Sequence, residues 1–541
     1  MRFPRHRPRV WTALALAVAA SLATTTLDPQ TAAAADEHNG ADCAVPGSVP
    51  QVFESRLPDP FTKLDGTRVT TRAEWECRRA EIHELAERSV YGEKPAPPDS
   101  VTGTVSSSNI TVNVTDQGRS TSFSASVDLP SGSGPFPAVV VYGGFGADTE
   151  TIKSAGAAVI SYDPFSVGAE GTSRGDKQGA FYDVYGSSSG TGLLMAWAWG
   201  TSRIIDVIEQ SGGTILQADA TGVTGCSRYG KGAFVAGAFD QRIDLTMPIE
   251  SGTGGVPAFR GIAQESGSQP LDSAYGEQPW LGDAFGPHTG DPSTLPVDTH
   301  EIVGMIAPRG LLVMDNPHVD WLGARSGSVA ALGGAEVYAA LGARENISYW
   351  SDVQDGTHCA TRSEWQGPLR QSIEAFLLDT GRAPGVFRIS SGKSGDLSGW
   401  RDWQTPVLTG DGGGAPGDED PGDEDPGDGD PGDEDPGEGT NGACTADYRT
   451  VNSWSGGFQG EVSVRNNGTG PLDGWSVDMT LASGQSISNL WNGESTGTSG
   501  SVTVRNTPWN GAVAADGTVT FGFVATGGPA TEPDGVTCSS P

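Results

Sequence analysis

The chain has 541 residues, and its 67 Asp and Glu residues outnumber 33 Lys and Arg, which gives a formal net charge of −34 at pH 7. This length predicts two or more folded domains, because domains commonly span roughly 100 to 200 residues. The acidic charge argues against nucleic acid or an anionic membrane as a partner, since both would be repelled.

The first 35 residues have the layout of a secretory signal peptide. Arginines at positions 2, 5, 7 and 9 precede an apolar run at 10–22, and alanines at 32–35 precede Asp36. Basic, apolar and then small residues are the order typical of an exported precursor. The apolar run is shorter than the ~18 residues that a membrane helix needs. We therefore predict a signal peptide over residues 1–35 and a secreted, extracellular mature protein.

Strand-like and helix-like segments alternate between residues 36 and 410. Apolar stripes at helical spacing between 75 and 90 and between 193 and 208 predict helices. Short apolar runs predict strands at Pro137–Tyr142, Ala157–Tyr162, Ile243–Ile249, Gly310–Met314 and Ile347–Val353. This alternation is typical of a mostly parallel sheet covered by helices on both faces. We predict one α/β domain over 36–410, with the three-layer sandwich of an α/β-hydrolase.

A candidate nucleophile follows the strand-like run that ends near Cys226. The segment reads Gly225-Cys226-Ser227-Arg228-Tyr229-Gly230 and precedes a small-residue helix at 232–239. A serine on a sharp strand-to-helix turn needs small neighbours, since the backbone is strained and closely packed there. The second glycine comes one residue later than in the common G-x-S-x-G pattern. A plain Gly-Ser turn is the alternative at this point.

Candidate partners for this serine follow in the chain order of an α/β-hydrolase, acid and then histidine. Glu250 follows the strand-like run Ile243–Ile249, and a carboxylate at the end of a parallel strand faces the same crevice as the serine. His358 lies on the loop after the last predicted strand and before a helix at 364–378, where a general base belongs. His288, His300 and His318 compete with His358 for that role.

The six cysteines are even in number, and export permits disulfides. Their positions in the chain predict three pairs, namely Cys43 with Cys77, Cys226 with Cys359, and Cys444 with Cys538. The middle pair would connect the Ser227 turn to the His358 loop, since each cysteine neighbours one of those residues. Buried packing thiols are the alternative.

Residues 411–440 differ from the rest of the chain. Asp411 to Glu438 is a repeat of Pro, Gly and acidic residues that contains 13 Asp and Glu. Such a segment has too few apolar residues for a core, and its charges repel one another, so we predict an extended linker. After the linker, Thr, Ser, Val and Gly occur in short alternating runs such as GEVSVRNN and SVTVRN. We predict a C-terminal all-β sandwich over 441–541.

The segment G-C-S-R-x-G-K at 225–231 resembles the motif of the glucuronoyl esterases, carbohydrate esterase family 15, and the likeness spans roughly Cys43 to Leu378. It implies Ser227 as nucleophile, Glu250 as acid, His358 as base and Arg228 as an oxyanion ligand, whose guanidinium is always charged. Some bacterial relatives place the acid after the following strand, which makes Asp315 and Asp320 reserve candidates.

The same resemblance implies a subsite for the uronic acid. The family uses a lysine four residues after the serine, which is Lys231 here, and also a glutamine, a glutamate and a tryptophan. The positions that match are Gln269, Glu277 and Trp321. The implied reaction is acyl transfer, with no metal and no cofactor, on the ester that joins 4-O-methyl-glucuronic acid of xylan to lignin alcohols. We expect the enzyme to be a monomer.

The C-terminal segment resembles a family 2 carbohydrate-binding module from Cys444 to Cys538, in the segments WSGGFQGEVSVRNNG, LDGWSV, SNLWNGE and NTPWNG. The resemblance implies that Trp454, Trp491 and Trp509 form a flat strip that binds cellulose. Trp475 matches the family's core tryptophan instead. The alternative is that all four tryptophans belong to the core.

Two other functions compete with this interpretation. An acetyl or feruloyl xylan esterase needs the same catalytic residues and no uronate subsite. A non-catalytic wall-binding protein with an inactive hydrolase domain needs neither. The complete set of Ser227, Glu250 and His358 argues against the second alternative.

Overall fold

The computed structural model describes residues 37, 43, 45, 47, 50–409 and 443–540, apart from gaps at 455–456, 492, 508–509, 516 and 528–530. The predicted signal peptide and the whole of the predicted linker lie outside the described residues. The strands before and after the linker belong to different sheets, and we call these parts the first and the second body and describe each by itself.

The first body is built on a sheet of ten strands. These strands are β1 (Ser100–Val105), β2 (Asn109–Asp116), β3 (Arg119–Asp128), β4 (Phe136–Tyr142), β5 (Ala158–Tyr162), β6 (Leu216–Cys226), β7 (Ile243–Ile249), β8 (Gly310–Met314), β9 (Ile347–Trp350) and β10 (Phe387–Arg388). Their order across the sheet is β1-β2-β3-β5-β4-β6-β7-β8-β9-β10.

The sheet is parallel from β5 to β10 and antiparallel at one edge. Strands β5, β4, β6, β7, β8, β9 and β10 pair in parallel. Strands β1, β2 and β3 form an antiparallel meander, and β3 joins β5 antiparallel. Because parallel strands end at the same edge, the loops after β4, β6, β7, β8 and β9 converge there.

Helices cover both faces of this sheet. They are α1 (Arg72–Ala86), α2 (Thr149–Ala155), α3 (Ala180–Tyr185), α4 (Leu193–Gln210), α5 (Arg228–Phe239), α6 (Phe259–Ile262), α7 (Leu271–Glu277), α8 (Thr299–Ile306), α9 (Ala324–Ala340) and α10 (Ser363–Phe376). Helix α1 begins with a capping box, in which Thr71 and Glu74 each accept a backbone hydrogen bond from the other, and continues as a π-helical turn at Glu87–Tyr91.

The alternation of side chains along β4 shows why the domain has three layers. Ala138, Val140 and Tyr142 pack into a core with α4, α5, α8 and α9, whereas Val139 and Val141 pack into a second core with α2 and α10. All five side chains are fully buried, as a strand with apolar residues on both faces requires. The predicted three-layer α/β sandwich is confirmed.

Most predicted elements are present with small changes in their bounds. The predicted helix at 364–378 is α10, and the strand predicted at Ile347–Val353 ends at Trp350. Beyond Trp350 the backbone N–H groups of Ser351 and Asp352 both donate to the carbonyl of Arg388, so the regular ladder stops there. The three predicted disulfides, Cys43–Cys77, Cys226–Cys359 and Cys444–Cys538, are all formed.

The second body is an all-β sandwich, as predicted. Its two four-stranded sheets have the orders β11-β12-β17-β14 and β15-β16-β13-β18. The strands are β11 (Cys444–Trp454), β12 (Gly457–Asn466), β13 (Ser476–Thr480), β14 (Ser486–Trp491), β15 (Glu494–Ser495), β16 (Ser501–Arg505), β17 (Thr518–Thr526) and β18 (Asp534–Ser539). The Cys444–Cys538 bridge joins β11 of one sheet to β18 of the other.

Trp475 lies in the core of this sandwich, in agreement with the sequence prediction. It is 1% exposed, stacks on Phe521 with ring centroids 5.6 Å apart, and its Nε1 donates to the carbonyl of Asn510 at 2.8 Å. Trp454 and Trp491 are the last residues of β11 and β14. Trp509 and the side chains of Trp454 and Trp491 lie outside what the structure describes.

Within the described ranges, we find no helix that combines the length and the apolar composition needed to cross a bilayer.

Candidate active site

Ser227 occupies a sharp turn between β6 and α5. Its backbone has φ 61° and ψ −125°, a region that L residues rarely adopt, and its N–H donates to the carbonyl of Ile249 at 2.9 Å. A methyl group on Gly230 would lie 2.5 Å from that same carbonyl oxygen, so this position requires glycine. The strand-to-helix turn predicted from the sequence is therefore present, at the edge where the parallel strands end.

Glu250 and His358 form a close pair. His358 Nδ1 lies 2.6 Å from Glu250 Oε2, which also accepts the backbone N–H of Cys359 at 2.8 Å. The other oxygen accepts from Asn316 Nδ2 at 3.3 Å and lies 3.5 Å from Arg362 Nη2. Glu250 is fully buried, so these donors replace the water that its carboxylate would otherwise bind.

The pair fixes the tautomer of the imidazole. A carboxylate only accepts hydrogen bonds, so Nδ1 of His358 carries the proton that it shares with Glu250. The lone pair of a neutral His358 is then on Nε2. This is the arrangement in which a histidine accepts a proton from a hydroxyl.

The two reserve carboxylates have other partners. Asp320 is 69% exposed at its side chain and pairs with Lys393 at 3.0 Å. Asp315 is buried and accepts the Tyr349 hydroxyl at 3.0 Å, and burial raises its pKa to about 7. Among the described residues, Glu250 is the carboxylate that hydrogen bonds to His358.

The ring nitrogens of the three competing histidines contact groups other than Glu250. His288 Nδ1 lies 2.8 Å from Thr294 Oγ1, His300 Nε2 2.9 Å from the carbonyl of Pro58, and His318 Nε2 2.8 Å from the carbonyl of Val353. These contacts indicate structural roles.

The Cys226–Cys359 disulfide brings the serine turn and the histidine loop together. Its Cα atoms are 5.8 Å apart, and the two cysteines adjoin Ser227 and His358 in sequence. Ser227, Glu250 and Cys359 have φ values of 61°, 46° and 59°, and they are three of the five described non-glycine residues with positive φ. Strained backbone of this kind persists only where the surroundings enforce it, and here it is concentrated at one site.

These residues do not form a metal site of the usual kind. Potential ligand atoms of Cys226, Glu250, His358 and Cys359 lie within 4.8 Å of one another. The two sulfur atoms are bonded to each other, however, and thiolates are the form in which cysteine binds zinc.

Arg228 is held beside the serine by Glu170, a residue that the sequence analysis missed. Arg228 Nη1 donates to Glu170 Oε2 at 2.7 Å, and Trp280 Nε1 donates to Glu170 Oε1 at 2.5 Å. The Arg228 guanidinium also lies 5.6 Å from the Trp280 ring. Glu170 is in an irregular loop, 58 residues before Arg228, and no local motif identifies it.

Lys231 is buried one helical turn after Ser227. Its Nζ donates to the carbonyl of Ser251 at 2.5 Å and lies 5.3 Å from the Trp280 ring. Burial lowers the pKa of Lys231 to about 7 in spite of the nearby carboxylates of Glu277 and Glu170, which oppose the shift, and the Arg228 guanidinium contributes to the lowering.

Gln269, Glu277 and Trp321 lie together next to these groups. Gln269 Nε2 donates to Glu277 Oε2 at 2.7 Å, and Gln269 N–H donates to the carbonyl of Trp321 at 3.0 Å. Trp321 is 54% exposed, and its ring lies 5.8 Å from the His358 ring at an angle of 77°. The structure thus places polar groups and an exposed aromatic face beside His358.

The sequence resembles known esterases over most of the first body. A sequence model described as "Glucuronyl esterase, fungi" matches residues 112–342, and one described as "Cellulose binding domain" matches residues 444–539. The "4-O-methyl-glucuronoyl methylesterase" of Hypocrea jecorina is 38% identical over 376 residues, which cover 68% of this chain and 80% of that protein. The protein with the same description from Thermothelomyces thermophilus is 40% identical over 380 residues, which cover 69% of this chain and 92% of that protein.

Solved structures are also similar. The glucuronoyl esterase catalytic domain from Hypocrea jecorina superposes with a TM-score of 0.63 at 38% identity and covers 68% of this chain and 100% of its own. A second similar structure is a serine-to-alanine mutant of the glucuronoyl esterase from Sporotrichum thermophile, solved with methyl 4-O-methyl-β-D-glucopyranuronate. Its TM-score is 0.64 at 38% identity, and the match covers 68% of this chain and 100% of that one.

The buried ammonium of Lys231 predicts a pH-dependent stability. In the unfolded chain lysine has a pKa of about 10.4. Below pH 7 Lys231 is therefore charged in both the folded and the unfolded state, and the cost of burying this charge lowers the free energy of unfolding by its full amount. Between pH 7 and about 10.4 the unfolded state binds the extra proton, so this penalty fades as the pH rises. We expect Lys231→Met to shift the unfolding temperature most favourably below pH 7, and less at each step towards pH 10.

Differential scanning calorimetry of both proteins from pH 6 to pH 10 checks this. Lys153→Met is the matched control, because the Lys153 ammonium pairs with the exposed carboxylates of Asp128 and Glu150 and should give no advantage at pH 6. If Lys231→Met changes the unfolding temperature by the same amount at every pH, the lowered pKa assigned to Lys231 is wrong.

Proposed function

The chain belongs to the glucuronoyl esterase family, and we propose that its first domain hydrolyses the ester between 4-O-methyl-glucuronic acid of xylan and a lignin alcohol. The observation that carries this proposal is the 2.6 Å contact between His358 and Glu250, with His358 tied to the Ser227 turn through the Cys226–Cys359 bridge. The descriptions of the relatives support the substrate class.

In the proposed reaction, Ser227 is the nucleophile and His358 the general base. Nε2 of His358 takes the hydroxyl proton of Ser227, whose oxygen attacks the glucuronoyl carbonyl carbon. Collapse of the tetrahedral intermediate breaks the bond to the alcohol oxygen, which receives that proton and leaves. Water then attacks the acyl-enzyme with the same assistance and releases the glucuronate. Glu250 orients His358 and stabilises its imidazolium form.

Arg228 and backbone N–H groups hold the oxyanion in this proposal. The Arg228 backbone follows the nucleophile directly, at the N-terminus of α5, where N–H groups without helical partners favour negative charge. Its guanidinium is held in place by Glu170 and Trp280. Donors that are fixed before the reaction stabilise the transition state without the cost of reorganisation.

The uronic acid would bind to Lys231, Gln269, Glu277 and Trp321. Amide and carboxylate groups suit sugar hydroxyls, and the exposed Trp321 ring suits the C–H face of the pyranose. An acetyl or feruloyl xylan esterase requires no such polar cluster, so its presence next to His358 favours a uronate. Hydrolysis of acetylated xylan without hydrolysis of glucuronate esters would select the alternative.

We propose the domain organisation expected from the sequence: a signal peptide at 1–35, the esterase domain at 36–410, the linker at 411–440 and a family 2 cellulose-binding module at 441–541. The two sequence models end within the proposed domains, and the second body is an all-β sandwich. Three disulfides suit an oxidising, extracellular location. The module would keep a secreted esterase on cellulose, close to xylan and lignin.

Removal of the proposed nucleophile tests the mechanism. We expect Ser227→Ala to lower kcat on the methyl and benzyl esters of glucuronic acid by about 10³- to 10⁶-fold, because no other hydroxyl at this turn replaces the attacking oxygen. Steady-state rates, corrected for uncatalysed hydrolysis, measure the loss, and an unchanged unfolding temperature confirms the fold. Activity close to wild type would overturn the assignment of Ser227.

Glu170 is proposed as a positioning residue for Arg228. Glu170→Gln keeps one oxygen acceptor but removes the charge that pairs with the guanidinium. We expect kcat on the methyl ester to fall about tenfold with KM within twofold, because the affected contact is made to the oxyanion and not to the sugar. The exposed carboxylate of Glu150, changed to Gln, is the control. A loss confined to KM, or no loss, would exclude this role.

The cellulose-binding proposal has its own test in the full-length chain. We expect the double variant Trp491→Ala, Trp509→Ala to lose most of its retention on microcrystalline cellulose while it hydrolyses a soluble glucuronate ester at the wild-type rate. Depletion of protein from solution measures binding. Full retention of the double variant would contradict the proposed tryptophan strip.

A further inference from the structure

Exposed apolar side chains indicate where the alcohol part of the ester binds. Large apolar side chains stand exposed at four positions in the ranges that the structure describes. Phe53 and Val407 have more than 80% of their surface exposed, whereas Phe145 and Trp321 have 51% and 54%. Trp321 contacts His358, so one of these four side chains already belongs to the site.

Phe145 is held against the Ser227 turn. It lies in the loop between β4 and α2, and β4 is the neighbour of β6 in the sheet. The Phe145 ring packs edge-on against Tyr229, with centroids 5.4 Å apart. A methyl group on Gly146 would lie 2.5 Å from the Cβ atom of Cys226. Phe145 therefore contacts or adjoins residues on both sides of Ser227, and half of its surface remains open.

The polar groups lie on the other side of the nucleophile. Gln269 and Glu277 follow β7, and Trp321 follows β8, whereas β4 flanks β6 on the opposite side. The proposed uronate subsite therefore occupies the β7 and β8 side. An ester bound with its sugar there directs its alcohol away from those groups, towards the β4 side and Phe145.

We propose that Phe145 forms the subsite for the aromatic ring of an aryl alcohol leaving group. This inference rests on the proposed function and assigns the alcohol half of the substrate to a named residue. The Phe145 ring is anchored by Tyr229 and exposes C–H and π surface, with which a second ring stacks in an offset or edge-on geometry. An ester of a short aliphatic alcohol has no ring to make this contact.

The timing of the reaction gives the inference a distinct signature. The alcohol leaves when the acyl-enzyme forms, so a contact between Phe145 and the alcohol acts on acylation and cannot act on the later attack of water. The contact should therefore affect kcat/KM, because this constant reports acylation. The effect should appear with esters of aromatic alcohols and be absent with esters of aliphatic alcohols.

The test compares the benzyl and methyl esters of glucuronic acid in the full-length protein. We expect Phe145→Ala and Phe145→Leu to lower the benzyl-to-methyl ratio of kcat/KM about three- to tenfold, the range that one aromatic pair supplies, with the methyl ester changed less than twofold. Phe145→Tyr keeps the ring and should keep the ratio. Phe53 is an exposed phenylalanine whose neighbour Glu54 bonds to Ser293 and Arg260, and Phe53→Ala should leave both esters unchanged.

Each result separates this inference from the wider proposal. An equal loss on both esters, or an unchanged ratio in Phe145→Ala and Phe145→Leu, overturns the aryl subsite while the esterase assignment stands. A wild-type protein that hydrolyses neither ester overturns both. Comparison of Phe145→Leu with Phe145→Tyr separates loss of the ring from loss of packing, and the unfolding temperatures of both variants show whether the loop is intact.

Discussion

The site depends on a buried carboxylate that is stable only because its donors surround it. An ionised Glu250 without partners would be costly in the interior. His358, Arg362 and the backbone of Cys359 reach its two oxygens from the loop before α10, and Asn316 reaches them from the loop after β8. The positive φ of Glu250 turns its side chain towards them at the end of β7. The same disulfide that fixes Cys359 also fixes the turn at Ser227, so strain, charge and crosslink all support one arrangement.

The parts of the fold that the sequence predicts well are those with unambiguous apolar patterns. Strands β4 and β8 are continuous apolar runs, β5 and β7 are mostly apolar because both of their faces are largely buried, and α4 has a clear apolar stripe. The edge strands are harder to predict. Residues 100–128 are rich in Ser and Thr, one face of these strands is open to water, and their apolar residues alternate with polar ones instead of forming a continuous run. Their place beside β5 depends on pairing between strands, which no local pattern encodes.

The same distinction holds at the site. Ser227 and His358 are detectable because each adjoins a cysteine and follows a strand, and their roles follow from a local motif and from chain order. The choice among Glu250, Asp315 and Asp320 cannot be made from the sequence, because all three follow a strand or lie near the end of one. The structure separates them, since Glu250 is the one that hydrogen bonds to His358. Glu170 is the extreme case. It belongs to the site only because an irregular loop passes over Arg228 and Trp280, and its carboxylate has no sequence neighbour that indicates this.

The charges around the proposed substrate are balanced, and this bears on turnover. The cations of Arg228 and Lys231 are accompanied by the carboxylates of Glu170 and Glu277, which interact with the Lys231 ammonium. An ester substrate is neutral at its carbonyl, whereas the product of hydrolysis is an anion. A site with unpaired cations would bind that product more tightly than the substrate and would be slow to release it. Because the cations already have partners and burial lowers the pKa of Lys231 to about 7, we expect the proposed site to hold the product carboxylate less tightly than a site with unpaired cations would.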